Sequence, residues 1–195
     1  RQMCIRDRVL SALKSLSFLL LRSFLFRSVP SADCLSSFLL TASIIDAIDQ
    51  DCDIVSLPNV HWTTGKLINL AKVRQRCNEI NAALVLDLTQ SAGAMAVDFT
   101  KIKPDFAVVA NYKWMLGPYS TGFLYVSPKH HGGQPLEEGW ITRKNSKDFA
   151  NLVDYQDYYE PGAIRYDMGQ RSNFSLIPGV LEALRQIQKW GILNI

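Results

Sequence analysis

Apolar runs alternate with amphipathic stretches over most of the chain after about residue 44. Four short and mainly apolar runs have the pattern of strands buried on both faces; they are residues 54–57, 83–87, 105–111 and 122–126. Apolar residues recur every three or four positions from Leu67 to Ile80 and from Leu176 to Trp190, which predicts two helices, and IIDAIDQDCD is typical of a helix end. The alternation predicts an α/β fold with a mostly parallel sheet and flanking helices.

Two segments depart from this pattern. Residues 136–168 are polar and aromatic without a period, which predicts irregular loops. Residues 1–40 are rich in Ser, Leu, Phe and Arg and do not match the rest of the chain. Lys14, Arg22 and Arg27 interrupt the apolar stretch, which argues against a signal peptide and against a membrane span. An amphipathic surface helix stays open, but we favour a leader of non-native coding sequence, because its composition resembles an out-of-frame product.

Composition narrows the function classes. The chain has 195 residues, of which 48% are hydrophobic and 20% charged, values typical of a globular protein with a core. The net charge of +3 is small and its basic residues are scattered, so nucleic acid is not predicted as a partner. Four cysteines without a C-x-x-C pair and three histidines without zinc spacing predict no metal site. Without a credible signal or a disulfide pattern, we expect a cytoplasmic location and no membrane partner.

Three polar side chains fall at predicted strand ends. Asp87 ends one strand, Gln90 follows three residues later, and Lys113 follows the next strand. The carboxyl ends of parallel strands meet at one edge of a sheet, where α/β proteins bind ligands. An unpaired lysine beside a buried strand is costly, so an Asp87–Lys113 ion pair is one alternative, and surface positions without a role are another. The third is pyridoxal 5'-phosphate (PLP), which needs a lysine amine and a carboxylate at its pyridine nitrogen.

A longer segment carries a resemblance to a known family. DLTQSAGAMAVDFTKIKPDFAVVANYKWMLGPYSTGFLYV resembles the class V aminotransferases, PLP-dependent enzymes of fold type I that include kynureninases and cysteine desulfurases. The segments QPLEEGW and RYDMGQRSNFSLIPGV are similar to the kynureninase branch. The resemblance covers about residues 44–195. It implies a partial PLP-binding large domain that lacks the family's amino-terminal part and its carboxyl-terminal small domain.

The resemblance implies roles for the residues at the strand ends. Lys113 matches the catalytic lysine that forms the Schiff base with PLP. Asp87 matches the partner of the pyridine nitrogen, and Gln90 matches the contact to the ring hydroxyl in desulfurases. For Asp87, a cap on a helix starting at TQSAG is an alternative that is compatible with a cofactor role. For Gln90, the alternative is a loop hydrogen bond.

Four further residues match cofactor contacts of the family. Tyr112 matches a phosphate-contacting Tyr of kynureninases, although a core aromatic is an equal alternative. Trp140 and Gln170 fall where kynureninases send Trp and Asn to the phosphate across a dimer interface, so a homodimer is implied. Asn59 matches a cofactor-contacting Asn of the desulfurases.

The sequence therefore predicts a PLP-dependent enzyme that acts on an amino acid, as an aminotransferase or a lyase. We expect the chain by itself to have little or no activity, because the family's remaining segments supply other cofactor and substrate contacts. An alternative is a non-catalytic, dimerising domain of the same fold, in which changing Lys113 has no effect. A membrane-anchored protein led by residues 9–40 is a third hypothesis.

Overall fold

The computed structural model describes residues 37–135, 137–169 and 173–195. These residues form two compact units. We call residues 37–125 and 175–195 the sheet unit, and the described residues between 126 and 174 the loop unit. The proposed leader lies almost entirely outside the described residues, and the domain bounds stay a prediction. In the described part, every helix is too short or too polar to cross a membrane.

The sheet unit holds the regular elements found in the described residues. Its helices are α1 (Ser37–Ala47), α2 (Leu70–Glu79), α3 (Phe99–Ile102) and α4 (Ile177–Trp190). Its strands are β1 (Ile54–Pro58), β2 (Ala83–Asp87), β3 (Phe106–Ala110) and β4 (Gly122–Val126), the last of which ends at the boundary of the loop unit. All four predicted strands are therefore present, two of them with the predicted bounds.

Helix α2 begins three residues later than the apolar spacing predicts. Asn69 caps the helix, and its side chain accepts a hydrogen bond from the backbone N–H of Lys72 at 3.1 Å. Leu67, the first residue of the predicted apolar face, instead forms an isolated antiparallel bridge with Val60. The side-chain cap thus sets the helix start, and the apolar residue before it belongs to the preceding loop.

The strands lie in the order β1-β2-β3-β4. β1 and β2 are parallel, with Pro58 opposite Asp87, and β2 and β3 are parallel, with Asp87 opposite Val108. β4 lies beside β3 at the edge of the sheet. The mostly parallel sheet that the sequence predicts is therefore confirmed. The carboxyl ends of β1, β2 and β3 therefore meet at one edge.

One face of the sheet packs into the main core. Helix α2 contacts β2, and α1 and α3 each contact α2. Leu84 and Leu86 of β2 point into this core and are fully buried. On the opposite face Val85 is buried at the centre, whereas Leu124 of the edge strand β4 is exposed. Burial on both faces, as the sequence predicts, therefore holds at the centre of the sheet and fails at β4.

The predicted apolar face of α4 is confirmed in part, and the irregular structure predicted for the loop unit is confirmed. In α4, Val180 and Ile187 are buried, but Leu181 and Trp190 are about half exposed, so the predicted apolar face is only partly covered. The loop unit has the irregular structure expected of residues 136–168. Its described residues form four short 3-10 helices: Pro128–His130, Trp140–Thr142, Phe149–Asn151 and Gly162–Tyr166.

A buried carboxylate links α2, β2 and β3. Asp105 is 0% exposed and directly precedes β3. Its Oδ2 atom accepts a hydrogen bond from the backbone N–H of Leu84 at 2.7 Å and forms an ion pair with Arg74 of α2 at 2.9 Å. Arg74 also donates to the carbonyl of Ala82 at 3.0 Å. These contacts fix the amino ends of two neighbouring strands against one helix.

We predict that Asp105→Ala lowers the free energy of unfolding by about 3–5 kcal/mol, because it leaves Arg74 without its counter-charge and the Leu84 N–H without its acceptor. Urea denaturation monitored by circular dichroism measures this change. Glu182→Ala is the control, since it removes an exposed ion pair with Arg185 and should cost less than about 1 kcal/mol. Equal losses in the two variants would contradict the prediction.

Candidate active site

Asn59 lies at the carboxyl end of β1 and is almost completely buried. It directly follows Pro58, the residue opposite Asp87, and its exposed fraction is 2%. Its Oδ1 atom accepts a hydrogen bond from the hydroxyl of Ser91 at 2.8 Å. Its Nδ2 atom is buried and has no hydrogen-bond partner among the described residues. A buried amide donor is therefore left unsatisfied at this edge of the sheet.

Asp87 ends β2 with an exposed side chain. Its Oδ1 atom accepts a hydrogen bond from the backbone N–H of Thr89 at 2.9 Å. The following residues form turns rather than the helix considered as an alternative, and the N–H groups of Ser91 and Ala92 both donate to the carbonyl of Leu88. Asp87 thus caps a turn through Oδ1, and its other oxygen has no hydrogen-bond partner among the described residues.

Lys113 lies on a turn that follows β3. The backbone N–H of Leu116 donates to the Lys113 carbonyl at 3.0 Å, which closes the turn. The side chain is partly exposed, with Nζ 5.6 Å from the centroid of the Tyr112 ring. Within the part of the chain that the structure describes, Lys113 forms no ion pair, so the alternative of a pair with Asp87 is wrong. The sequence predicts that an unpaired lysine at this position is energetically unfavourable because of burial. This expectation is also wrong, because the turn places the Lys113 side chain outside the core.

Tyr112 and Gln90 complete the residues predicted at this edge. Tyr112 is 40% exposed and stacks on Tyr119, with ring centroids 4.7 Å apart and an interplanar angle of 13°. The alternative of a core aromatic is therefore wrong for Tyr112. Gln90 is partly exposed on the turn that follows Asp87. Both side chains are accessible to a ligand.

A side-chain hydrogen bond and a close backbone contact hold the two loops together. The hydroxyl of Thr89 accepts a hydrogen bond from the N–H of Ala110 at 3.0 Å. Gly93 has a φ of +98°, and a Cβ atom there would lie 2.3 Å from the carbonyl oxygen of Trp114. Glycine is required at this close approach. The loop with Gln90 and the loop with Lys113 therefore have a fixed separation.

Trp140 belongs to the loop unit. It begins a 3-10 helix, is 47% exposed and makes an edge contact with Phe149, with ring centroids 5.9 Å apart. Nearby in sequence, the carboxylate of Glu138 accepts a hydrogen bond from the hydroxyl of Tyr159 at 2.6 Å, which raises the pKa of Tyr159. Gln170 lies outside the described residues.

Comparison with known proteins now identifies the family. Residues 36–193 match the family model "Aminotransferase class-V". The chain is a class V aminotransferase family member.

Relatives and solved structures agree with this assignment. The chain is 31% identical over 159 residues to a kynureninase of Geobacillus thermodenitrificans, covering 81% of this chain and 36% of that protein. It is 29% identical over 153 residues to a probable cysteine desulfurase of Methanothermobacter thermautotrophicus, covering 76% of this chain and 38% of the relative. A cysteine desulfurase structure from Thermococcus onnurineus NA1 superposes with a TM-score of 0.64 at 22% identity, covering 80% of this chain and 37% of that one.

These findings confirm the resemblance and the fold type I architecture. The chain spans a little over a third of the length of the two relatives named above. The cofactor of the class V aminotransferase family is PLP, and the residues at the sheet edge fit it. The buried Nδ2 of Asn59 is a donor without an acceptor among the described residues, and a hydroxyl oxygen of the cofactor would supply one. The exposed carboxylate of Asp87, and the amine of Lys113, which forms no ion pair with a described residue, have the chemistry that the pyridine nitrogen and the aldehyde require.

Sequence reasoning missed the buried polar residues that support this class V site. Thr89, Ser91 and Asn111 are 9%, 2% and 1% exposed, and each makes side-chain hydrogen bonds. A usable signal is their position, since each polar side chain falls within four residues of the end of an apolar strand. Their partners are distant in sequence, so only the folded structure identifies them.

We predict that Gly93→Ala lowers the free energy of unfolding by more than about 2 kcal/mol, because it adds a left-handed backbone penalty to a clash with the Trp114 carbonyl. Gly65→Ala is the matched control. Gly65 also has a positive φ, of +65°, but its Cβ would meet nothing within 4 Å, so about 1 kcal/mol is expected. Thermal unfolding of both variants measures the difference, and a smaller loss at Gly93 than at Gly65 would contradict the close contact.

Proposed function

We propose that this chain is the cofactor-holding part of a PLP-dependent enzyme that acts on an amino acid, with Lys113 as the covalent attachment point. The observation that carries the proposal is the Lys113 amine, which extends from a turn at the carboxyl edge of the sheet and has no ion-pair partner among the described residues. Membership in the class V family supports it. The exposed Asp87 carboxylate at the end of the neighbouring strand supports it further.

Each residue at the edge has a defined task in this proposal. When bound, PLP supplies the electron sink that stabilises negative charge at the substrate α-carbon. Asp87 holds the proton on the pyridine nitrogen through its open oxygen. Lys113 would hold the cofactor, and its side-chain amine, when free, would move the proton at the substrate α-carbon. Gln90 and Asn59 donate hydrogen bonds to the ring hydroxyl oxygen, which gives the unsatisfied Asn59 amide its acceptor.

The phosphate contacts require more than one chain in this proposal. Tyr112 donates to the phosphate from its exposed position beside Lys113. Trp140 and Gln170 contact the phosphate of a second copy, so the protein acts as a homodimer. The large exposed fractions of Trp140, Phe149 and Tyr155 in the loop unit, 47%, 73% and 82%, support a protein contact there. The proposed location is the cytoplasm.

In this proposal the enzyme is an aminotransferase or a lyase. Both begin with the same exchange at Lys113 and the same proton movement, and they diverge at the groups that surround the substrate side chain. The relatives named kynureninase and probable cysteine desulfurase support an amino acid as substrate. We further propose that the chain has little or no turnover on its own, because it spans about a third of these relatives.

We predict that PLP and borohydride modify Lys113 covalently and that Lys113→Ala abolishes this modification. Peptide mass mapping of the reduced adduct, together with the visible absorption of the unreduced mixture, measures the outcome. Lys101→Ala is the control, because Lys101 is an exposed lysine of α3 whose side chain is 81% exposed. Equal adduct yields in the Lys113→Ala and Lys101→Ala proteins, when both are folded, would falsify the proposed attachment.

We predict that Asn59→Ala weakens PLP binding by about fivefold to tenfold, because it removes one buried hydrogen-bond donor. Ser91→Ala is the matched control, since it removes the Ser91–Asn59 hydrogen bond and keeps the amide donor. Titration of PLP by absorption gives both dissociation constants. Equal weakening in the two variants would assign Asn59 to the support of its loop rather than to the cofactor.

A further inference from the structure

We propose that Asn111 and Thr121 form a clasp that positions Lys113. The inference rests on the proposed role of Lys113, and it assigns Asn111 as a positioning residue. Asn111 directly follows β3 and Thr121 directly precedes β4, so the two residues stand at the two ends of the loop that carries the lysine. Lys113 lies two residues beyond Asn111.

The clasp consists of three hydrogen bonds. The Nδ2 atom of Asn111 donates to the hydroxyl of Thr121 at 3.1 Å, and that hydroxyl donates to the carbonyl of Pro118 at 2.7 Å. The backbone N–H of Asn111 donates to the carbonyl of Thr121 at 3.1 Å. Asn111 is 1% exposed, so its own end of these bonds is shielded from water. The two ends of the loop are thereby joined by side chains as well as by the backbone.

The clasp holds a loop whose backbone conformation is unfavourable by itself. Leu116 and Ser120 have φ values of 53° and 66°, in the left-handed region that side chains other than glycine rarely adopt. Gly117 donates its N–H to the carbonyl of Asn111 at 2.8 Å, and a Cβ at Gly117 would lie 2.8 Å from the Cβ of Asn111. Such conformations persist only where surrounding contacts maintain them. The contacts of Asn111 and Thr121 maintain the loop in this conformation.

The chemistry of Asn111 also favours a functional explanation. Its Oδ1 atom is buried and has no hydrogen-bond partner among the described residues, which is unfavourable for stability. The Nδ2 bond to Thr121 offsets part of this cost and holds the turn two residues before the proposed attachment point. Asn111 acts through the backbone that leads to Lys113 and does not itself need to touch the cofactor.

The test uses the full chain and two measurements. Hydrogen exchange of residues 112–120 without cofactor reports whether the clasp holds the turn. The rate of borohydride-trapped PLP attachment at Lys113 reports whether the turn positions the amine. We expect Asn111→Ala and the nearly isosteric Thr121→Val to speed exchange in this segment by about tenfold and to slow trapping by about fivefold or more. Thr121→Ser, which keeps the hydroxyl, should restore wild-type values in both measurements.

Asn78→Ala is the control for Asn111→Ala, because Asn78 is an exposed asparagine on α2. Faster exchange with unchanged trapping would overturn the positioning role and leave a structural one. Unchanged exchange in Thr121→Val would overturn the clasp itself. Trapping absent at Lys113 in the wild-type chain would overturn the proposed function, and the positioning role with it, whatever the exchange result.

Discussion

Asp105 determines where the chemistry of this protein can lie. Its carboxylate binds the backbone N–H of Leu84 in β2 and the Arg74 side chain of α2 at the amino end of the sheet, just before β3 begins. Parallel strands fixed at one end are also in register at the other, so Asp87 lies opposite Val108 and the turn with Lys113 follows directly after β3. A shift of one residue at Asp105 would move every side chain at the functional edge to the other face. The site therefore depends on a contact at the far end of the same strands.

Much of the fold follows from local sequence. The continuous apolar runs 83–87 and 122–126 both form strands with the predicted bounds. The predicted burial holds at the centre of the first run, whereas most of the second run is exposed. Helix α2 starts later than its apolar spacing indicates, since the Asn69 side chain competes for the first N–H groups. The half-exposed residues of α4 were not predictable, because spacing identifies an apolar face and says nothing about what covers it.

The residues of the candidate site also fall into two groups, those that the sequence suggests and those that only the structure identifies. The sequence alone suggests Asp87, Gln90 and Lys113 as site residues, because they belong to a motif with a fixed order around a buried strand. Thr89 and Ser91 are missed because their partners lie 21 and 32 residues away. The exposure of Lys113 is missed for a related reason. A residue just after a strand can continue into the core or leave it on a turn, and the left-handed residues that form this turn include a leucine, which sequence rules do not expect there.

The contact between Gly93 and the Trp114 carbonyl has a consequence for motion. Backbone meets backbone at that point, so neither loop can change its conformation without displacing the other. In the proposed function, the movement of the Lys113 amine would then come from rotation about the bonds of its own side chain, which in exposed residues takes picoseconds to nanoseconds. An enzyme built this way would need no slow opening of the lysine loop, and its rate would be set elsewhere, by substrate entry, proton movement or product release.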